Sequence, residues 1–512
     1  MRRLAPPLAA LAGLAVVLAG CNQVTAPPET PTASASPSAP ASPPADLPAG
    51  LDRFYTQDVA WEECGQDAEC ADVTVPLDYD DPDAGEITLA VKRLRSAGAD
   101  RVGSLLINPG GPGGSGIELV DAAQGYFSED LLGAYDLVGF DPRGVDASTA
   151  IDCVDDAELD RLRSAEYDLT TDAGLSAYQD DLGIVREGCA ARSGDLLGHV
   201  DTESAARDMD VLRHLLGEPE LDYLGFSYGT FLGATYAELF PDRVGNLVLD
   251  GAMDPALDTH GIVLGQAAGF EDALRAYVAD CQSGSDCPLT GGVEEGVAQV
   301  QRLLEVARAT PLPTASDRPL TASLAFSGII TPLYDDATWF VLTTALDQAI
   351  NQRDGSQLLY LADLTAGRES DGTYSNNSVE ANWAINCLDF PARGDLAQWQ
   401  EEAEELRATA PVLGEFLAFG DMLCDQWPVD GGREPAPVDA DGAGPIMVVG
   451  TTGDPATPYP WSESLTEELA EGFLVTYDGE GHTAYGSSNE CVTDAVDAFL
   501  IEGTRPEGDL RC

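Results

Sequence analysis

Lysine is nearly missing from this chain: Lys92 is the only one in 512 residues. Formal net charge is −62. A field of that sign repels phosphate backbones and anionic membrane surfaces, which excludes nucleic acid as a partner. Metal-binding patterns are also missing. No C-x-x-C occurs, and the four histidines, His199, His214, His260 and His482, stand singly. Neither a metal nor an organic cofactor is therefore expected. Beyond the first twenty residues no long apolar run occurs, so no membrane-spanning helix is predicted.

What the chain does have begins at its N-terminus. Arg2 and Arg3 precede an apolar run from Leu8 to Leu18, which ends in Leu18-Ala19-Gly20-Cys21. That order is a secretory signal peptide, expected over residues 1–20. The last four residues resemble a bacterial lipobox, which implies cleavage before Cys21 and lipidation of its sulfur. A plain secreted protein with an incidental cysteine is the alternative. Residues 21–50 are rich in Pro, Ala, Ser and Thr, cannot bury a core, and read as a flexible tether. The membrane would then be met through lipid alone. Ten cysteines remain, an even number in a chain bound for an oxidising compartment. Pairing arithmetic leaves roughly 945 connectivities open. The sequential scheme is Cys64–Cys70, Cys153–Cys189, Cys281–Cys287, Cys387–Cys424 and Cys491–Cys512.

Two blocks of strand–helix alternation frame a region of different character. The first includes strand-like runs at 87–94, 102–107, 135–140, 221–224 and 244–249. From about Pro255 to Gly442 the pattern is mostly helical. Strands return at 445–450 and 473–477, before a closing helix near 494–500. The expected architecture is α/β: a mostly parallel sheet with helices on both faces and a helical lid inserted before the last two strands. Residues 51–254 and 443–512 would form the core, and 255–442 the lid.

Gly225-Phe226-Ser227-Tyr228-Gly229 lies where one such strand gives way to a helix. A G-x-S-x-G at that junction is the nucleophile elbow of an α/β-hydrolase, exposing Ser227 above the free N–H groups of the new helix. A serine hydroxyl needs a base, and the base needs an orienting acid. In this fold the order along the chain is Ser, acid, His. His482, in the glycine-rich loop after the last strand, is the one histidine in the right place. Asp454 follows the preceding strand and is the expected acid; Asp250, also at a strand end, is its rival. The loop Asn108-Pro109-Gly110-Gly111-Pro112-Gly113-Gly114-Ser115 follows an early strand. Its Gly111 N–H, with that of Tyr228, would form the oxyanion hole. The loop has no lysine, which excludes a phosphate-binding P-loop.

The segments 108–115, Asp141-Pro142-Arg143-Gly144, 225–229, Gly453-Asp454-Pro455-Ala456-Thr457-Pro458 and Gly481-His482 together resemble the proline iminopeptidase and tripeptidyl aminopeptidase group of α/β-hydrolases. The secreted tripeptidyl aminopeptidases of high-GC Gram-positive bacteria are especially similar. They share Ala384-Ile385-Asn386-Cys387-Leu388-Asp389, and the likeness runs from about Gln57 to Cys512. Asn108 stands where proline iminopeptidases have histidine, which favours the tripeptidyl branch. The resemblance implies a serine exopeptidase that frees short peptides, tripeptides by this likeness, from free N-termini of peptide substrates; a monomer is expected. It also implies a lid carboxylate for the substrate ammonium, with Asp389 and Glu380 as candidates. Arg143 is expected to brace the oxyanion loop through a carboxylate pair. An esterase or lipase of the same fold, or a non-catalytic binding lipoprotein, are the competing classes.

Overall fold

Along the central strands consecutive residues are buried on alternate faces, so both faces of the sheet must be covered. Leu247 and Leu249 point into one apolar cluster, while Val248 between them points into another. This is why these strands read as continuous apolar runs rather than as an alternation. A computed structural model describes residues 47–512. The expected signal peptide, Cys21 and residues 21–46 of the tether lie outside the described residues.

Ten strands among the described residues make one sheet: β1 (Glu62–Gly65), β2 (Ala68–Pro76), β3 (Glu86–Leu94), β4 (Gly103–Asn108), β5 (Tyr135–Phe140), β6 (Leu221–Phe226), β7 (Val244–Asp250), β8 (Ile446–Gly453), β9 (Gly472–Glu480) and β10 (Leu510–Arg511). Their spatial order is β1-β2-β3-β5-β4-β6-β7-β8-β9-β10. The pairs from β1 through β3 to β5 are antiparallel, and every later pair is parallel. The mostly parallel α/β sheet expected from sequence is therefore present, with three elements added. β1 and β2 were not anticipated: β1 is exposed at every residue, and β2 mixes buried and exposed positions near the sheet edge. β10 has only two residues, too few for any periodicity to register.

Between β7 and β8 the chain leaves the sheet for a run of helices, the longest of them Thr259–Ser283 and Val293–Ala309. These pack a core of their own around Leu274, Tyr277, Leu303, Leu342 and Leu358. A second excursion, between β5 and β6, carries the helices Asp156–Ser164 and Asp172–Ser193. Its Leu159, Val185 and Cys189 lie in the apolar cluster of one sheet face, and polar contacts tie it to the insert as well. Arg368 forms a two-bond pair with Asp160, and Arg186 donates to the carbonyls of Met422 and Asp425. The five sequential disulfides are all formed.

Candidate active site

The elbow after β6 is built by close packing. A Cβ on Gly225 would lie 2.4 Å from the Gly229 carbonyl oxygen and 2.5 Å from the Tyr223 ring. One on Gly229 would lie 2.9 Å from the backbone and side-chain oxygens of Asn108. The two glycines are therefore needed for approach. The unusual backbone belongs to Ser227 itself, at φ 56° and ψ −125°, a region costly for a residue with a Cβ. Its amide donates to the Asp250 carbonyl at 2.9 Å, and its carbonyl accepts from the Thr230 amide and hydroxyl. Ser227 precedes the helix Tyr228–Leu239 without capping it through its side chain.

Gly110 sits directly over the elbow: a Cβ there would come within 2.4 Å of the Phe226 carbonyl oxygen and 3.1 Å of the Tyr228 nitrogen. Its φ of +93° suits glycine alone. The Asn108 carboxamide oxygen holds the Gly110 amide at 2.9 Å. Among the described residues, neither the Gly111 nor the Tyr228 amide donates to a protein acceptor. Tyr228 follows the serine directly, and Gly110 sets the glycine-rich loop against the elbow.

His482 stands at the same sheet edge. A Cβ on Gly251, the residue after β7, would lie 3.3 Å from its Cε1. The Phe226↔Asp250 register sets Ser227 and Gly251 side by side. Asp454 holds the imidazole, with both carboxylate oxygens within 2.8 and 2.9 Å of Nδ1. An ionised carboxylate only accepts, so Nδ1 carries the proton and Nε2 keeps a lone pair. Asp454 also accepts the amides of Ala456, Thr457 and Thr483, and the Thr457 hydroxyl at 3.0 Å. Burial pulls the imidazole's pKa down. The charge and hydrogen bond of Asp454, with Asp250 behind, outweigh that and leave it raised. No hydrogen bond joins the Ser227 hydroxyl to His482 in this structure; such contacts often close only around substrate.

Asp250 makes no hydrogen bond to the imidazole. Its carboxylate accepts the amides of Ala484 and Tyr485, anchoring the loop that carries His482. Burial pushes its pKa up to about 7, against the pull of those amides.

A cavity of about 340 Å³ opens beside His482, lined by Pro109, Phe226, Tyr334, Asp335, Asp336 and Glu480, among others. Tyr334 packs edge-on against the imidazole, and its carbonyl accepts the His482 amide at 2.7 Å. Neither lid carboxylate expected to meet an ammonium lines this cavity. Glu380 spends one oxygen on the Cys153 and Val154 amides, and Asp389 is engaged by Thr202. Asp335, Asp336 and Glu480 line it instead, and in so acidic a chain an acidic residue carries no signal in the sequence. Thr457 was missed, although it sits three residues after Asp454 inside a quoted motif.

Arg143 needs correcting too. Its carboxylate pair exists, a fully buried two-bond contact with Asp208, but it braces the helix Thr202–Leu216 and the carbonyls of Pro76, Leu77 and His199. Asp141 is what holds the glycine-rich loop, through the Ser115 hydroxyl at 2.6 Å.

A mostly parallel sheet with a strained serine elbow at its carboxyl edge defines an α/β-hydrolase, and a serine hydrolase within that class. Residues 410–512 match the family described as TAP-like protein. Serine protease Hip1 of Mycobacterium tuberculosis is 38% identical, covering 98% of this chain and 96% of that protein. Carboxylesterase B of the same species is 38% identical over 87% of this chain and 86% of its own length. Tripeptidyl aminopeptidase of Streptomyces lividans is 32% identical over 89% and 86%. The chain belongs to this TAP-like family of α/β-hydrolases.

Proposed function

We propose that the protein is a serine exopeptidase that removes short peptides, tripeptides by kinship, from the free N-terminus of peptide substrates. Ser227 attacks the scissile carbonyl, and His482 takes its proton at Nε2 and later passes it to the leaving amine. Asp454 keeps the imidazole in that tautomer and offsets the charge it gains. The amides of Gly111 and Tyr228 hold the oxyanion. The observation that carries the reading is the strained Ser227 backbone beside a histidine already paired to a carboxylate at the same sheet edge. Asp335, Asp336 and Glu480, in the cavity beside His482, are the carboxylates offered to the substrate ammonium. Residues 255–442 act as the lid of a core formed by 51–254 and 443–512. Five disulfides support an extracytoplasmic enzyme. The sequence adds membrane attachment through lipidated Cys21, and the enzyme works as a monomer without a cofactor.

The test compares tripeptide anilides with free and acetylated N-termini. Cleavage confined to the free form is expected, with loss of turnover and of fluorophosphonate labelling in Ser227→Ala. Equal cleavage of both forms would sink the exopeptidase. Turnover of an acyl ester with neither anilide cleaved would favour the second reading, an esterase, which the relative named carboxylesterase B supports.

A further inference from the structure

The segment 384–389 has no part in the chemistry above, yet its last residue is 2% exposed. Asp389 ends the helix Ser378–Asp389 of the insert. Its carboxylate accepts the Thr202 amide at 2.9 Å and the Thr202 hydroxyl at 2.5 Å. The Thr202 oxygen also meets the Tyr228 hydroxyl. Directions follow from proton count. With Asp389 ionised, above about pH 7, the single Thr202 hydroxyl proton goes to the carboxylate, so its oxygen is the acceptor and Tyr228 the donor. A carboxylate in the insert thereby sets the hydrogen bond made by the residue next to Ser227.

Tyr228 is well placed to feel this. Its ring is 3% exposed, and it is the first residue of its helix. Ring and amide share one Cα, so a pinned ring tip fixes the turn that presents the amide. The same insert helix also touches the opposite side of the hole. Asn382 donates to the Pro112 carbonyl, and a Cβ on Gly113 would lie 2.7 Å from the Ser378 carbonyl oxygen.

We infer that Asp389 is a positioning residue which, acting through Thr202, holds the Tyr228 amide in the pose the oxyanion needs. The insert then completes the nucleophile elbow as well as covering it. This rests on the proposed roles of Ser227 and the Tyr228 amide. A purely structural Asp389, packed beside Arg433 where that side chain stacks on Phe231 and Phe390, would affect stability without separating kcat from KM.

The experiment measures kcat and KM for a tripeptide anilide, with thermal unfolding in parallel. In Tyr228→Phe and Thr202→Val kcat should fall about tenfold while KM stays within about twofold, a smaller loss than deleting an oxyanion donor outright. The double variant should be no slower than either single one, since both cut the same relay. Thr202→Ser should keep the wild-type kcat. A Tyr228→Phe kcat within about twofold of wild type would overturn the inference. So would multiplying effects in the double variant, or a Thr202→Ser as slow as Thr202→Val. If Asp389→Asn fails to fold, Tyr228→Phe still decides, because it removes one oxygen at the far end of the relay. Fluorophosphonate labelling of the wild type keeps the two questions apart. Absent labelling rejects Ser227 as nucleophile, whereas normal labelling with an unaffected Tyr228→Phe rejects only the relay.

Discussion

At the level of single residues, the site turns on which nitrogen of His482 is protonated. Asp454 decides that through its contact with Nδ1. Asp454→Asn can donate to Nδ1 instead, which puts the proton on Nε2, where it opposes attack. Its kcat should drop on the order of 10⁴-fold, with KM little changed in steady-state assays. The raised imidazole pKa has a consequence for pH. The protonated form cannot accept the serine proton, so activity is lost as pH falls through the folded-state value. The acid limb of kcat/KM is expected above the ordinary 6.5 of a free histidine. Because the carboxylate supplies the upward pull, residual activity of Asp454→Asn should show that limb at lower pH. A limb unmoved by the substitution would contradict the assignment.

At the level of elements, two glycines test whether the elbow is packed or merely flexible. Gly225→Ala places a methyl against the Gly229 carbonyl oxygen and the Tyr223 ring, neither of which is a flexible chain end. Denaturant unfolding should show a loss of about 1–3 kcal/mol. Gly183, inside the helix Asp172–Ser193, has nothing within 4 Å of a Cβ. Gly183→Ala should therefore gain about 0.5–1 kcal/mol in the same experiment. The helix Thr202–Leu216 depends on a buried pair. With both Arg143 and Asp208 at 0% side-chain exposure, Arg143→Met leaves a carboxylate without its cation. About 3–5 kcal/mol should be lost, more than in the double variant Arg143→Met with Asp208→Leu.

The whole molecule carries a charge of −62, which opposes compaction through self-repulsion. Two buried carboxyls add a pH dependence of defined sign. Asp250 and Asp389 are both raised to about 7 by burial, against 3.8 for a free aspartate. Between those values the folded chain binds protons that the unfolded chain releases. Their stabilising contribution is complete below about 4 and is lost as pH rises through about 7. Thermal unfolding at pH about 5.5 should therefore exceed that at about 8.5, and Asp250→Asn should narrow the gap. Added salt should raise the midpoint at the higher pH by screening the repulsion.

The placing of Ser227, Asp454, His482 and the glycine-rich loop at strand ends was legible because each sits in a short motif there. The parallel sheet was legible because strands buried on both faces read as apolar runs. The five pairings followed the order of the cysteines along the chain. Local pattern ends there. That Asp250 anchors a loop while Asp454 meets the imidazole depends on strand order, which sets residues 250, 454 and 482 around one edge. Likewise Glu380 and Asp389 read as ligands for an amine, and folding turned both inward to backbone and hydroxyl partners. The cavity acids 335, 336 and 480 stand out only once they share a wall with His482. Chain order names the chemical groups at strand ends, because a turn's geometry is local. Which groups meet is settled by packing, because contacts between distant segments leave no periodicity behind.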